Sequence, residues 1–294
     1  MKHSATESWY DYAWNPVTGC DADCDQCTAR DKVLHGFCGN VRMNMHQAAQ
    51  DGIKREGVYR LYEPWKTERG KLNTPFGFEP TLHTYKLAQP ATATVPANIA
   101  VCRMGDLFCY SVPDSVIKSV MDACAAAPWH NYLFTTMHTG RLYKMVEEGT
   151  LPKAANMYYG TIVDGDKTCL FDFEGYKTFA LFEREPSRLA PTIEWAVMPM
   201  GRGDALVNDR TLIWTPEHRA YPEGLVHREK VSAAQRKRLY DRCVSCKKEM
   251  RCNAMYQLWA RKERGTYGSK LGYICPGCLA KLRKSFEMGG CDNG

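Results

Sequence analysis

The stretch WNPVTGCDADCDQCTA, residues 14–29, places Cys20, Cys24 and Cys27 within eight residues. Four thiolates would close a tetrahedral metal site. Three leave one position open on a zinc ion, or one iron free on a cubane cluster. Because an open position can bind water or a substrate, the spacing Cys-x3-Cys-x2-Cys favours a reactive centre over a structural one. Two alternatives remain: a zinc site completed by Cys38 or His35, and a chance cluster.

The composition allows one large domain with a small satellite, because 44% of the 294 residues are hydrophobic and 24% are charged. The chain begins without an apolar secretion signal, and no later stretch approaches a membrane span. We therefore expect a cytoplasmic protein with no membrane association. Its fourteen cysteines should stay reduced, with metal bound by the clustered ones and most of the scattered ones buried.

The middle of the chain alternates short apolar runs with amphipathic segments, which predicts buried strands joined by helices. Pro113 and Asp114 begin one helix that Pro128 ends, and a second helix covers residues 139–149. This pattern is typical of a parallel sheet, open or closed, whose sites lie at the carboxyl ends of the strands. The predicted strands are 98–104, 131–137, 156–163, 178–183 and 194–200, with a possible earlier one in WYDYAWN, residues 9–15.

Changes in composition divide the chain into three parts. Residues 1–214 carry the strands and helices, with a long excursion at 52–96 that is rich in Pro, Gly, Lys and Glu. Residues 215–232 are polar, contain two prolines, and are predicted to be a linker. Residues 233–294 form a basic, cysteine-rich module.

This C-terminal module contains CVSC and, 28 residues later, CPGC. Cys243, Cys246, Cys275 and Cys278 therefore have the spacing of a zinc ribbon or treble clef, in which four thiolates close a structural site. Cys252 leaves an alternative open. The order Cys-x2-Cys-x5-Cys also begins the pattern of a second iron–sulfur cluster.

Several further motifs occur in a fixed order: WNPVTGC…C..C, CRMGDLF…VPDSVI, LFTTMHTGRL, YYGTIVD, EPSRLAP and EWAVMPMGRG. Over residues 9–203 this order resembles a phage-associated branch of the radical S-adenosylmethionine (SAM) superfamily, distantly related to the spore photoproduct lyases. The resemblance implies a partial parallel (β/α)6 radical SAM barrel, followed here by the zinc-ribbon or treble-clef-like module. If a phage encodes the chain, its compartment would be the host cytoplasm.

The resemblance also implies cofactors. Cys20, Cys24 and Cys27 would hold a 4Fe-4S cluster that binds SAM at its fourth iron. Reduced by an external electron donor, it would form a 5′-deoxyadenosyl radical that removes hydrogen from the substrate. Two residues depart from the family pattern, because Gln26 and Thr28 stand where aromatic residues are usual.

The resemblance further implies SAM contacts, each with a simpler structural alternative. Asp106 would accept hydrogen bonds from the SAM ammonium or act as a turn residue, and Thr161 would contact ribose or serve as a strand residue. Cys109, which follows the same motif, is a candidate hydrogen donor or a buried structural thiol. The implied contacts are Met104, Gly105, Asp106, Thr161, Arg184, Glu185, Arg188 and Gly201.

The net charge of +6 is uneven, since basic residues concentrate between residues 228 and 284, interleaved with aromatic residues. This pattern favours a DNA-binding module, or alternatively a solvated structural cap. With the resemblance, it implies a radical SAM enzyme that modifies or rearranges a pyrimidine in DNA, in the manner of an isomerase or lyase. The alternatives are a radical SAM enzyme acting on a peptide or small molecule with a second cluster, and a non-enzymatic zinc protein that binds nucleic acid.

Overall fold

The computed structural model describes residues 9–22, 24, 27–36, 38–68, 70–163, 168–183, 186, 189–190, 192–199, 211–216, 220–225, 240–251, 255–261 and 267–288. The chain divides into two compact units, Met1–Arg228 and Glu229–Gly294. This division falls inside the predicted linker. Among the described helices, none is both long and apolar enough to cross a bilayer.

The first unit contains short strands, a few helices and one 3-10 turn. In chain order they are β1 (Tyr12–Trp14), β2 (Val17–Thr18), α1 (Thr28–Gly36), α2 (Val41–Gln50), β3 (Tyr59–Leu61), β4 (Trp65–Thr67), β5 (Gly70–Leu72), β6 (Thr81–His83), the 3-10 turn Thr84–Lys86, α3 (Gln89–Thr92), β7 (Asn98–Val101), α4 (Asp114–Ala125), β8 (Asn131–Thr136), α5 (Thr139–Glu147), β9 (Met157–Val163), β10 (Lys177–Phe182), β11 (Trp195–Val197) and β12 (Leu212–Trp214).

Seven of these strands form one sheet in the order β1-β7-β8-β9-β10-β11-β12, and all neighbouring pairs are parallel. The predicted α/β class is confirmed as a curled parallel half-barrel. The strand count differs from the six expected, because β12 adds a seventh that was too short to stand out as an apolar run. The connection from β9 to β10 is also not helical over its described part, residues 168–176.

Helices α4 and α5 cover one face of the sheet. The apolar positions of α4 follow a helical period, so its buried side falls against the strands, and α5 buries Leu142 and Met145 in the same way. Alternate strand residues such as Val101 and Phe134 meet these helices in the main hydrophobic core. The helices lie outside a curled sheet of this kind, so the opposite face is the concave one.

The concave face is filled by aromatic rings. Trp9, which precedes β1, lies 5.6 Å from the ring of Phe179 and 6.2 Å from that of Trp195. Gly160 in β9 is required here, because a side chain at this position would collide with the Phe179 ring. The rings form a plug in the concave face, shared with Leu133, Tyr158, Leu181, Val197, Trp214 and Leu225.

The structure adds detail to two parts of the predicted domain map. The excursion at 52–96 is organised, because β6 pairs with β2 and β3 and a second small cluster packs around Phe76. Part of the predicted linker packs on the sheet: Asn131 donates to the carbonyl of Gly224 at 3.0 Å, and Trp195 donates to that of Ala220 at 3.2 Å.

The second unit consists of two antiparallel hairpins and a helix. The hairpins are β13 (Tyr240–Arg242) with β14 (Glu249–Arg251) and β15 (Tyr256–Arg261) with β16 (Tyr267–Ile274), and the helix is α6 (Pro276–Met288). Its small core includes two of the predicted ligands, Cys243 and Cys275, packed with Met255, Tyr273 and Ile274.

Candidate functional site

The loop that carries the first three cysteines is fastened to the end of β7 by two glycines. Gly19, at φ +76°, donates to the carbonyl of Met104 at 2.7 Å. A side chain on Gly105 would overlap the backbone of Gly19, so neither position tolerates one. Asn15 also accepts a hydrogen bond from the Met104 amide, at 3.0 Å. Met104 and Gly105 were predicted to contact SAM. In the structure, their backbone holds the loop and so positions Cys20.

The three-cysteine loop lies at the carboxyl edge of the sheet. The Cys24 sulfur is 3.5 Å from that of Met137, the residue that follows β8. Burial raises the pKa of Cys24, and the nearby charges of Asp106 and Glu183 raise it further. Because these acids follow β7 and β10, Cys24 lies near the ends of three strands. Cys24 and Cys27 are half-buried, whereas Cys20 is buried.

The three sulfurs do not surround a single ion. Zinc holds thiolate sulfurs at about 2.3 Å, so the edge of a tetrahedral site is about 3.8 Å. Among the described residues, Cys20, Cys24 and Cys27 belong to no group of metal-binding atoms that lie within 4.8 Å of one another. A cubane cluster binds each thiolate on a different iron and so requires a wider separation. In the described part of the chain, the structure therefore does not group these three sulfurs around one tetrahedral ion.

Cys109 is buried against the start of this loop. Its sulfur accepts hydrogen bonds from the amide of Asp21 at 3.4 Å and the hydroxyl of Ser111 at 3.6 Å. The Cys20 thiol also donates to it, which raises the pKa of Cys20 and, although burial opposes the change, lowers the pKa of Cys109 to about 2. Cys109 thus lies beside the candidate cluster, and its role as hydrogen donor stays a prediction.

Asp106 connects the ends of two strands. It is buried, and it accepts hydrogen bonds from the Phe108 amide at 2.9 Å, the Thr136 hydroxyl at 2.8 Å and the Met137 amide at 3.1 Å. Burial raises its pKa, against the opposing effects of His138 and these hydrogen bonds. Both carboxylate oxygens are therefore used inside the fold, and the predicted contact with the SAM ammonium stays a prediction.

Thr161 does not reach the concave face. It is fully buried on the helix side of β9, and its hydroxyl accepts a hydrogen bond from the Phe171 amide at 2.8 Å. The alternation of side chains along a strand places Gly160 and Ile162 on the concave side instead. The ribose contact of Thr161 stays a prediction, and the orientation of its side chain does not favour that contact.

The remaining predicted contacts lie outside the described residues, namely Arg184, Glu185, Arg188, Gly201 and Cys252.

Sequence reasoning missed two residues at the same edge. The side chain of Arg103, two residues after β7, lies 5.8 Å over the Trp9 ring on the concave face. His138, directly before α5, is half-buried; its side chain hydrogen-bonds to Cys109, and its Nε2 lies 3.9 Å from a carboxylate oxygen of Asp106. In both cases the sequence signal that could have identified the residue was a cationic or titratable side chain shortly after a predicted buried strand.

The second unit brings all four predicted cysteines together. The sulfurs of Cys243, Cys246, Cys275 and Cys278 lie within 4.8 Å of one another. Cys246 and Cys275 are 3.8 Å apart, which is the edge expected for one tetrahedral ion. The four-cysteine cluster could therefore bind a metal such as zinc.

Backbone amides prepare this cluster for charge. The amide of Cys275 donates to the Cys243 sulfur, and the amide of Cys278 donates to the Cys275 sulfur, each at 3.4 Å. Burial opposes the thiolate form of Cys243, but the amides of Cys275, Cys246 and Ser245 outweigh it and lower its pKa to about 6. The Cys278 amide also lowers the pKa of Cys275, but burial and the neighbouring thiols outweigh it and raise that pKa to about 11. Lys247, at φ +62°, closes the first turn, and its amide donates to the Cys243 carbonyl at 2.9 Å.

The DNA-binding face predicted for the second unit stays a prediction. Lys247, Lys248 and Lys281 are exposed, and so is Tyr256. Tyr273, one of the aromatic residues interleaved with the basic ones, is part of the small core. An aromatic residue in an alternating strand can face either way, and the sequence did not show which.

The fold and the site define an α/β protein with a curled parallel half-barrel, a three-cysteine loop at its carboxyl edge and a separate four-cysteine cluster. The chain belongs to the DUF5131 family, described as a protein of unknown function, whose model matches residues 4–179. The match includes the three-cysteine loop and ends in β10, so it excludes the four-cysteine cluster. No curated protein and no solved structure matches the chain.

Proposed function

We propose that this protein is a radical SAM enzyme in which Cys20, Cys24 and Cys27 hold a 4Fe-4S cluster. The observation that carries the proposal is the position of the three-cysteine loop. Gly19, directly before Cys20, donates to the carbonyl of Met104 after β7, and the Cys24 sulfur contacts that of Met137 after β8. The loop therefore lies at the carboxyl edge of a curled parallel sheet, where α/β enzymes place their sites. Three ligands leave the open position that SAM requires.

When bound, the cluster and SAM supply hydrogen-atom abstraction from an unactivated C–H bond. The chain would provide the surroundings. The aromatic plug around Trp9 and Trp195 closes the bottom of the concave face and excludes water from below. Backbone groups at Met104 and Gly105 hold the loop in register, and Asp106 fixes the two strand ends beneath it. The electron would come from an external donor.

We propose further that the second unit holds structural zinc and binds DNA, so that the substrate is a pyrimidine within DNA. The 3.8 Å sulfur separation supports one ion over a second iron–sulfur cluster, whose thiolates bind different irons. Exposed lysines and Tyr256 suit phosphate contacts and base stacking.

Anaerobic reconstitution of the full chain with iron and sulfide tests the proposal. We expect a brown protein with about four irons and bound zinc, which forms 5′-deoxyadenosine from SAM after reduction. Cys24→Ala should lose the iron and the product. Cys169→Ser, an exposed cysteine outside both clusters, is the matched control and should keep both. Zinc at the first three cysteines, with no SAM cleavage, would contradict the proposal.

The DNA substrate needs its own test. Binding to duplex DNA should weaken steeply as salt rises from 50 to 200 mM, by about tenfold or more for a few phosphate contacts. Nucleoside mass spectrometry of the DNA after turnover should reveal an altered pyrimidine. SAM cleavage without DNA binding would indicate that the substrate is a peptide or a small molecule instead of DNA.

A further inference from the structure

Arg103 is an unusual residue for the place it occupies. The structure puts its half-buried guanidinium on the concave face, 5.8 Å over the ring of Trp9 in the aromatic plug. Its one described hydrogen bond is a long contact of 3.4 Å to the hydroxyl of Thr135, which lies on the same face as Leu133. In the part of the chain that the structure describes, no carboxylate pairs with it.

A permanently charged side chain with five donors is costly to withdraw from water without an acceptor. Such a residue is stabilised when an anionic group with two oxygens accepts from its planar fork. Asp106, three residues further along the chain, uses both of its carboxylate oxygens as acceptors for protein donors.

Arg103 lies further inside the concave face than the three-cysteine loop does. Met104 and Gly105, which follow it, form the edge against Gly19, whereas Arg103 contacts the plug itself. A molecule that enters from the three-cysteine loop would therefore meet aromatic rings and a guanidinium at its inner end.

We propose that Arg103 is a specificity-determining residue that binds an acidic group, a carboxylate or a phosphate, carried by the substrate. The flat rings beside it suit a planar ring, so the substrate class is a pyrimidine-like ring bearing an acidic substituent. This inference rests on the proposed function for the side from which the substrate enters.

The test compares acidic ligands with neutral ligands of the same shape on the full chain. The probes are orotate against thymine for a ring carboxylate, and thymidine 5′-monophosphate against thymidine for a phosphate. Wild-type protein should prefer the acidic member of at least one pair by about tenfold, the usual gain from a charge-assisted hydrogen bond. The pair that shows the preference identifies the acidic group.

Arg103→Gln should abolish this preference, and Arg103→Lys should retain part of it because the charge remains without the planar fork. Arg42→Gln, an exposed arginine on α2, is the matched control and should keep the full preference. Circular dichroism checks that each variant is folded. If Arg103→Gln does not fold, the test rests on whether Arg103→Lys weakens the preference for the acidic ligand.

Three results would overturn the assignment: no preference in the wild type, a preference that survives in Arg103→Gln, or a variant that loses only SAM binding. Ligand binding is measured without turnover. A wild type that prefers the acidic probe but never cleaves SAM would therefore reject the proposed function and leave the Arg103 site standing.

Discussion

The two cysteine clusters are built from the same residue type and differ in what holds them. In the four-cysteine cluster, turns and a helix start bring the sulfurs to 3.8 Å, and the cysteines themselves form much of the core. In the three-cysteine loop, the scaffold is a seven-stranded sheet with a large hydrophobic core of its own, and two thiols are partly exposed. The metal should therefore determine folding in one region and reactivity in the other.

The largest effect should come from breaking the four-cysteine cluster. Cys275→Ala should release the zinc and unfold the second unit, because structural zinc contributes about 10 kcal/mol to folding in units of this size. Metal analysis and limited proteolysis of the full chain measure both changes, with the first unit remaining intact. A second unit that stays protease-resistant without metal would remove the contrast between the regions.

Acid should destabilise the first unit through His83, which supports the strand leading into the three-cysteine loop. His83 is buried, bonds to the Thr18 hydroxyl at 2.9 Å, and has its pKa lowered by burial from 6.5 to about 3. The unfolded chain binds the proton first, so this stability is complete above pH 6.5 and is lost as the pH falls towards 3. A difference of one pH unit between the folded and unfolded pKa is worth about 1.4 kcal/mol, so the loss reaches a few kcal/mol.

Urea unfolding of the first unit at several pH values measures this slope. His83→Gln keeps a polar group against Thr18 but does not titrate, so its slope should be shallower. His46→Gln, at an exposed position of α2, should leave the slope as it is in the wild type. Equal slopes in all three proteins would show that His83 is not the group responsible.

The sequence predicted the parts of both regions that depend on local pattern. Helix α4 was found because its apolar residues repeat at helical spacing, and the four-cysteine cluster because paired knuckles are a local geometry. The hydrogen bonds that Asp106 accepts inside the fold and the orientation of Thr161 depend on which strands become neighbours and which face the helices cover. No local pattern contains that information, and the same is true of the separation of the first three sulfurs.

Gly105→Ala should destabilise the base of the three-cysteine loop. The new methyl group would overlap the Gly19 backbone, and backbone cannot move aside as a side chain can. We expect a loss of about 2 kcal/mol in the free energy of unfolding, together with weaker iron binding. Gly140→Ala in α5, where a methyl group meets only the Tyr110 hydroxyl at 3.4 Å, should leave iron binding unchanged and raise stability by about 0.5 kcal/mol, because alanine favours the helix.

The smallest effect on stability should come from Cys24→Ala, although its effect on cofactor binding should be among the largest. The Cys24 side chain is half-buried and its one described hydrogen bond is a weak one to the Met137 sulfur, so its removal should cost less than about 1 kcal/mol. Iron content should nevertheless fall to background, because two thiolates do not retain a cluster that leaves one iron open. Thermal unfolding and iron analysis of one preparation measure both. A Cys24→Ala protein that unfolds as readily as Cys275→Ala would mean that the three-cysteine loop is also a structural site, and the division between folding and reactivity would not hold.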